Sequence, residues 1–170
     1  MDQTAQAFAN EVLYKIPMDG TNVYGPCDGL YYLNLGEFRA IWNPTINEVR
    51  VLPPLITPPS NTIYTPCDYY GFGLDPLSGD YKVVVIQEFL STIDEIARSC
   101  PVMVYSLRND SWKYCGDLIL RYNLKNNGCY IFVKRCCFWL GSFPHGGKSY
   151  EIIITFDMAS DSFQERTVPV

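Results

Sequence analysis

The chain has 170 residues; 48% are hydrophobic, 15% aromatic and only 18% charged, a balance that excludes disorder and fits one sheet-rich domain with a packed core. Its net charge of −5 excludes nucleic acid as a partner, because an acidic surface repels phosphate, and favours a basic protein partner. The longest apolar runs, Val83–Ile86 and Ile152–Ile154, are strand-sized, far from the ~20 apolar residues of a membrane-spanning helix.

Residues 1–22 read as an N-terminal segment ahead of a β domain over 23–170. Met1–Asn10 lacks a basic stretch followed by an apolar one, so no secretory leader is expected and the implied location is cytoplasmic. Ala5, Phe8, Ala9, Val12 and Leu13 recur at helical spacing, which predicts a short helix over Thr4–Leu13. The β domain opens on Tyr24-Gly-Pro-Cys-Asp-Gly-Leu30, with a turn at Asp28-Gly29 and strands over Leu30–Leu33 and Phe38–Trp42. Leu52–Pro66 carries prolines at 53, 54, 58, 59 and 66 and reads as an extended surface linker. Gly71 and Gly73 are read as close backbone approach in a sheet, since no helix or third glycine follows to make a dinucleotide loop. Phe89, Ile93, Ile96 and Ala97 return to helical spacing, and Thr92 with Glu95 supplies a capping box, so a second short helix is predicted over Phe89–Ala97. Gly116–Gly128 reads as a loop, Cys129–Val133 and Cys136–Leu140 as strands, and Pro144-His-Gly-Gly147 as a surface turn.

Four segments share one pattern: Trp42 to Val49, Leu74 to Tyr81, Tyr105 to Trp112 and Phe156 to Phe163. Each opens on a large apolar residue, continues with Asn, Asp or Ser and a polar turn, and closes on a bulky residue seven positions on. The polar residue can accept bonds from backbone amides two residues on and so start a turn. Asn47, Gly79, Asn109–Asp110 and Asp161 tolerate left-handed geometry, and the closing residue folds back over the hairpin end. The spacing predicts an all-β fold of antiparallel, β-propeller-like (kelch-like) blades in about three units, near 23–54, 69–115 and 118–169, with one or two short helices.

Little in the chain points to chemistry. His145 is the only histidine, and it lies in a turn composition. The cysteine count of seven is odd and no Cys-x-x-Cys pair exists, so reduced thiols filling core space are expected, with no metal and no cofactor. Cys136 and Cys137 are adjacent on a strand, which turns one to the core and one away. The residues singled out for partner binding are Tyr64, Tyr69 and Tyr70, beside the linker, and the acidic Glu88, Asp94 and Glu95. Tyrosine offers large contact area at low entropy cost, and loops on a sheet scaffold carry recognition.

Gly25-Pro-Cys-Asp-Gly-Leu30, Trp42-Asn-Pro-Thr45, Leu52-Pro-Pro54, Tyr70-Gly-Phe-Gly-Leu-Asp75, Gly79-Asp-Tyr-Lys-Val-Val84, Val104-Tyr-Ser-Leu107, Asp110-Ser-Trp-Lys113 and Phe156-Asp-Met158 follow one another in an order that resembles plant F-box-associated domains. Asp80–Leu90 looks most like the S-locus F-box branch. The resemblance implies a non-catalytic substrate receptor whose N-terminal F-box docks a Skp-type adaptor in a cullin-based ubiquitin ligase. Its associated domain would bind a target, for S-locus members the commonly basic S-ribonuclease (S-RNase) met by pollen of self-incompatible plants. No F-box pattern precedes Tyr24 and family members continue further, so a fragment, or a truncated and non-functional allele product, is expected, with open sheet edges that promote self-association. The second reading is a small-molecule or glycan-binding β domain, since some relatives bind sugars; a tryptophan in an open groove would favour it.

Overall fold

The computed structural model describes residues 22–36, 38–55, 66–89, 97–129 and 131–168. The chain divides into two compact units, Met1–Ile56 and Thr57–Val170. The first unit holds one four-stranded antiparallel meander of β1 (Asn22–Cys27), β2 (Leu30–Leu35), β3 (Phe38–Asn43) and β4 (Glu48–Val51). The second holds two sheets. One is the meander β5 (Pro66–Asp75), β6 (Asp80–Phe89), β7 (Arg98–Ser106) and β8 (Ser111–Leu120). The other is built from β9 (Asn123–Leu124), β10 (Ile131–Val133), β11 (Cys136–His145), β12 (Lys148–Asp157) and β13 (Ser162–Thr167), with β9 and β10 both pairing β11. The fold is therefore all-β, in three blade-like antiparallel sheets.

No helix occurs among the described residues, and none there is long and apolar enough to cross a membrane. The helix expected over Thr4–Leu13 lies outside the described residues, as do residues 90–96 of the one expected over Phe89–Ala97; Phe89 itself ends β6. Two loop readings shift. The expected loop at Gly116–Gly128 starts later, because β8 continues to Leu120 and absorbs Gly116 at a bulge with φ of 98°. Leu52, in the expected surface linker, is buried and bonds back to the Arg39 carbonyl at 2.8 Å.

The four seven-residue spacings fall on four hairpins. Trp42 faces Val49, Leu74 faces Tyr81, Tyr105 faces Trp112 and Phe156 faces Phe163 as direct cross-strand partners. In two of them the rings meet, at 5.3 Å for Tyr105–Trp112 and 4.8 Å for Phe156–Phe163. The turns share their chemistry. Asn43, Asp75 and Asp157 each accept the amide two residues on, at 3.1, 2.9 and 2.9 Å, while Ser106 Oγ accepts from Asn109 at 3.1 Å. The last turn residue then takes positive φ: 53° at Asn47, 67° at Gly79, 50° at Asp110 and 49° at Asp161.

In the second unit the two sheets share one core. Val84, Ile86, Val102, Val104 and Leu120 meet Trp139, Ile152, Ile154 and Phe156 there. β5 permits the approach by presenting bare backbone. A Cβ on Gly71 would lie 2.8 Å from Cys137 Sγ and 3.0 Å from the Trp139 ring, and one on Gly73 would overlap the Phe132 ring. The segment between β9 and β10 also docks on the edge of β5: Tyr70 N donates to Asn127 O at 2.6 Å and Cys129 N to Tyr70 O at 2.8 Å.

At the hairpin end, Lys82 joins the two sheets. It shares the apolar face of Val84 and Ile86, yet its Nζ reaches the Met158 carbonyl at 2.6 Å, Asp161 at 2.9 Å and Asp75 at 3.5 Å. Burial works against the charge of Lys82, but the hydrogen bond and attraction of Asp161, together with Asp75, outweigh it and raise its pKa. For Asp75 burial likewise favours the neutral form, but the Ser78 hydroxyl, the Leu77 and Ser78 amides and Lys82 hold its pKa below the usual value. The linkage signs follow. The Lys82 contribution is complete below its unfolded pKa, near 10.5, and fades as pH rises through the higher folded value. The Asp75 contribution is complete above about 3.8 and fades as pH falls through the lower folded value. Urea unfolding midpoints measured across pH should therefore decline above about pH 10.5 and below about pH 3.8, and Lys82→Met should flatten the alkaline decline.

Candidate recognition surface

Among the described residues, β8 is the outer strand of its sheet and pairs only with β7. Its inward residues Leu118 and Leu120 are buried in the shared core, which turns the alternate positions outward. Among those, Tyr114 is 55% exposed and Ile119 45% exposed, large apolar groups on the outer strand. Asp117 organises them. Its two carboxylate oxygens accept from Tyr114 Oη at 2.6 Å and from Ser99 Oγ at 2.5 Å. The hydrogen bond to Asp117 raises the Tyr114 pKa and favours the protonated phenol. The bulge at Cys115–Gly116 is what brings Tyr114 and Asp117 within reach. A tyrosine, a β-branched residue and a carboxylate on an outer strand offer a partner ring area, apolar area and charge.

The residues singled out in the sequence lie elsewhere. Tyr64, Asp94 and Glu95 fall outside the described residues. Tyr69, Tyr70 and Glu88, expected at the surface, are only 5%, 5% and 4% exposed, because both faces of β5 and β6 are covered there. They are nonetheless organised. Tyr69 Oη donates to Glu88, and Arg98 Nε lies 2.6 Å from the other Glu88 oxygen. Arg98 also donates to the Tyr122 carbonyl at 2.7 Å and to Asn123 Oδ1 at 3.2 Å, which ties β6 and β7 to β9. Tyr70 Oη donates to the buried Asp68 at 3.0 Å. Glu88 thus acts within a buried clamp, and its charge is spent on Arg98.

Arg98, Lys82 and the Tyr114–Asp117 pair were missed by sequence reasoning. For Lys82 a signal existed: a lysine in phase with Val84 and Ile86 is a charge on a core-facing row. For Tyr114 none did, since it depends on a bulge that shifts the register.

The chemistry-bearing groups are dispersed. His145 is exposed at the β11–β12 turn, where Gly146 and Gly147 both take positive φ and the Tyr150 ring lies 6.2 Å away. Cys27, Cys100 and Cys137 are buried, and burial, reinforced by Glu88, pushes the Cys100 thiol up to about 12. Cys137 is fully covered and Cys136 half-covered, as adjacent strand residues must be. No cluster of His, Cys, Asp and Glu able to hold a metal occurs among the described residues.

Comparison with known proteins adds a family context. A family model described as the F-box associated beta propeller domain matches residues 2–170. The F-box protein CPR1 of Arabidopsis thaliana is 30% identical over 158 residues, which cover 85% of this chain and 38% of CPR1. The same plant's F-box/WD-40 repeat-containing protein 1 is 36% identical over 147 residues, 82% of this chain and 33% of that protein. Its F-box/kelch-repeat protein At3g23880 is 26% identical over 160 residues, 89% and 40% of the two chains. The chain therefore spans between about a third and two fifths of the length of these relatives.

Proposed function

Because the chain belongs to the F-box-associated β-propeller family, we propose that it is the target-binding part of a receptor in an SCF-type ubiquitin ligase, a non-catalytic recognition element. The observation that carries this reading is the family match over residues 2–170, joined to the Tyr114–Asp117–Ile119 edge as a surface that a protein could occupy. Engagement of a Skp-type adaptor and cullin would run through an F-box, and the recognition work through the sheets. The finer reading names the target as a basic, S-RNase-like protein of the pollen tube cytosol. It is supported by the net charge of −5 and by the S-locus likeness of Asp80–Leu90. A sugar-binding role draws no support from the tryptophans: Trp139 is 1% exposed and Trp112 is half-buried against Tyr105.

The test is binding of the full chain to a panel of basic proteins that includes S-RNases, at low and physiological salt. Tyr114→Ala should weaken target binding at least about tenfold, as a central tyrosine anchor does, and Ile119→Asp should act in the same direction. Charge reversal at Asp94 and Glu95 in the same assay measures any acidic contribution from that segment, chiefly as a slower, less salt-sensitive on-rate. Equal affinity for every S-RNase and for unrelated basic proteins would remove the S-RNase reading. Unchanged binding by both β8 variants would remove the edge.

A further inference from the structure

Cys129 and Cys137 both reach β5, at neighbouring residues of that strand. Cys129 is fastened by its backbone, its amide donating to the Tyr70 carbonyl at 2.8 Å. Cys137 approaches the next residues of the same strand: its Sγ lies 3.9 Å from the Phe72 carbonyl oxygen and directly over Gly71, in space that a Cβ there would fill. The Cys129 side chain packs against the same buried cluster that contains Cys137. Two sulfurs held by neighbouring residues of one rigid strand need little movement to reach bonding distance.

The two thiols differ in access. Cys137 is fully buried, whereas Cys129 is partly open to solvent, so a small oxidant reaches Cys129 first. The hydrogen bond from Cys137, opposed by burial, lowers the pKa of Cys129 and favours its thiolate. The remaining thiols with a resolved shift, Cys100, Cys115 and Cys136, are all shifted the other way, in each case first by burial.

We propose that Cys129 and Cys137 are a peroxide-responsive pair that closes to a disulfide and fastens the β9–β10 connection to β11 beside the edge of β5. The Cys129 thiolate attacks one oxygen of hydrogen peroxide. The O–O bond breaks, hydroxide leaves and takes up a proton as water, and Cys129 becomes a sulfenic acid. Cys137 then attacks the sulfenic sulfur. The S–O bond breaks, and the departing hydroxide combines with the Cys137 proton as a second water. Peroxide is reduced, the two thiols are oxidised, and the link spans β10. The segment that caps Tyr70 is then held covalently as well as by its two backbone hydrogen bonds.

The experiment treats the full, folded chain with hydrogen peroxide, alkylates remaining thiols and maps unreduced peptides, with circular dichroism before and after. The expected product joins Cys129 to Cys137, and Cys129 should react on the order of tenfold faster than Cys100. In Cys137→Ser the reaction should stop at a Cys129 sulfenic acid, captured by a dimedone probe. In Cys129→Ser the buried Cys137 should remain reduced. A Cys129 that stays alkylatable, a sulfenic acid that accumulates in the unsubstituted chain, a bridge to any other cysteine, or a bridge that appears only once the circular dichroism signal is lost would each overturn the proposal.

Discussion

Glu88→Ala is expected to destabilise the second unit by about 3 kcal/mol, the lower end for breaking a buried ion pair, because Arg98 retains some solvent. The carboxylate is 4% exposed and takes both the Tyr69 hydroxyl and Arg98. Removing it leaves a guanidinium and a phenol facing a hole, with only the Tyr122 carbonyl and Asn123 Oδ1 to satisfy Arg98. The double variant Glu88→Ala/Arg98→Ala should therefore lose less than the sum of the two single losses, by roughly 1–3 kcal/mol of coupling. By contrast, Lys125 and Glu151 are paired on the surface, and Glu151→Ala should cost less than about 1 kcal/mol. Urea unfolding of the four variants checks the comparison. Equal losses at Glu88 and Glu151 would mean that the Glu88 clamp adds no more than a surface pair.

The contrast between these two carboxylates also explains what the sequence could and could not reveal. The four hairpins were legible because their determinants are local: an Asn, Asp or Ser to start the turn, a residue that accepts positive φ to end it, and opposed apolar residues seven positions apart. The bare backbone at Gly71 and Gly73 was legible for a similar reason, since glycine inside a strand implies that something lies close. Burial of an individual polar residue is not local. Glu88 looks like an acidic surface contact until a partner ten residues on, Arg98, is folded against it across a strand pair. Tyr114 looks like any half-buried strand tyrosine until a bulge turns it toward Asp117. Three of the residues singled out, Tyr69, Tyr70 and Glu88, are covered, and the other three lie outside the described residues. Both faces of β5 and β6 are covered at Tyr69 and Glu88, whereas the outer strand β8 leaves Tyr114 and Asp117 in solvent.

Trp139 carries the second large expectation, and its substitutions should separate packing from polarity. Its side chain is 1% exposed, lies over Gly71 and has the Phe163 ring 6.3 Å away, so it fills the seam between the two sheets. Trp139→Ala should cost about 3–5 kcal/mol, because the strands around it cannot collapse without breaking the ladder. The indole Nε1 is buried and has no hydrogen-bond partner among the described residues. Trp139→Phe therefore removes an unpaired N–H along with part of the ring, and the relief of about 1–3 kcal/mol offsets much of the lost area. The phenylalanine variant should fall within about 1–2 kcal/mol of the original chain, far closer than the alanine one. Gly71→Ala attacks the same seam from the other side. Its Cβ would press on Cys137 Sγ and Val84 at 2.8 Å and on Trp139 at 3.0 Å, an overpacking cost of about 1–3 kcal/mol. If that cost comes from the ring, Trp139→Phe should recover part of it in the double variant. If it comes from Val84 and Cys137, it should not. The unfolding free energy of the four chains decides between the two, and with it whether the glycine is there for the tryptophan or for the strand behind it.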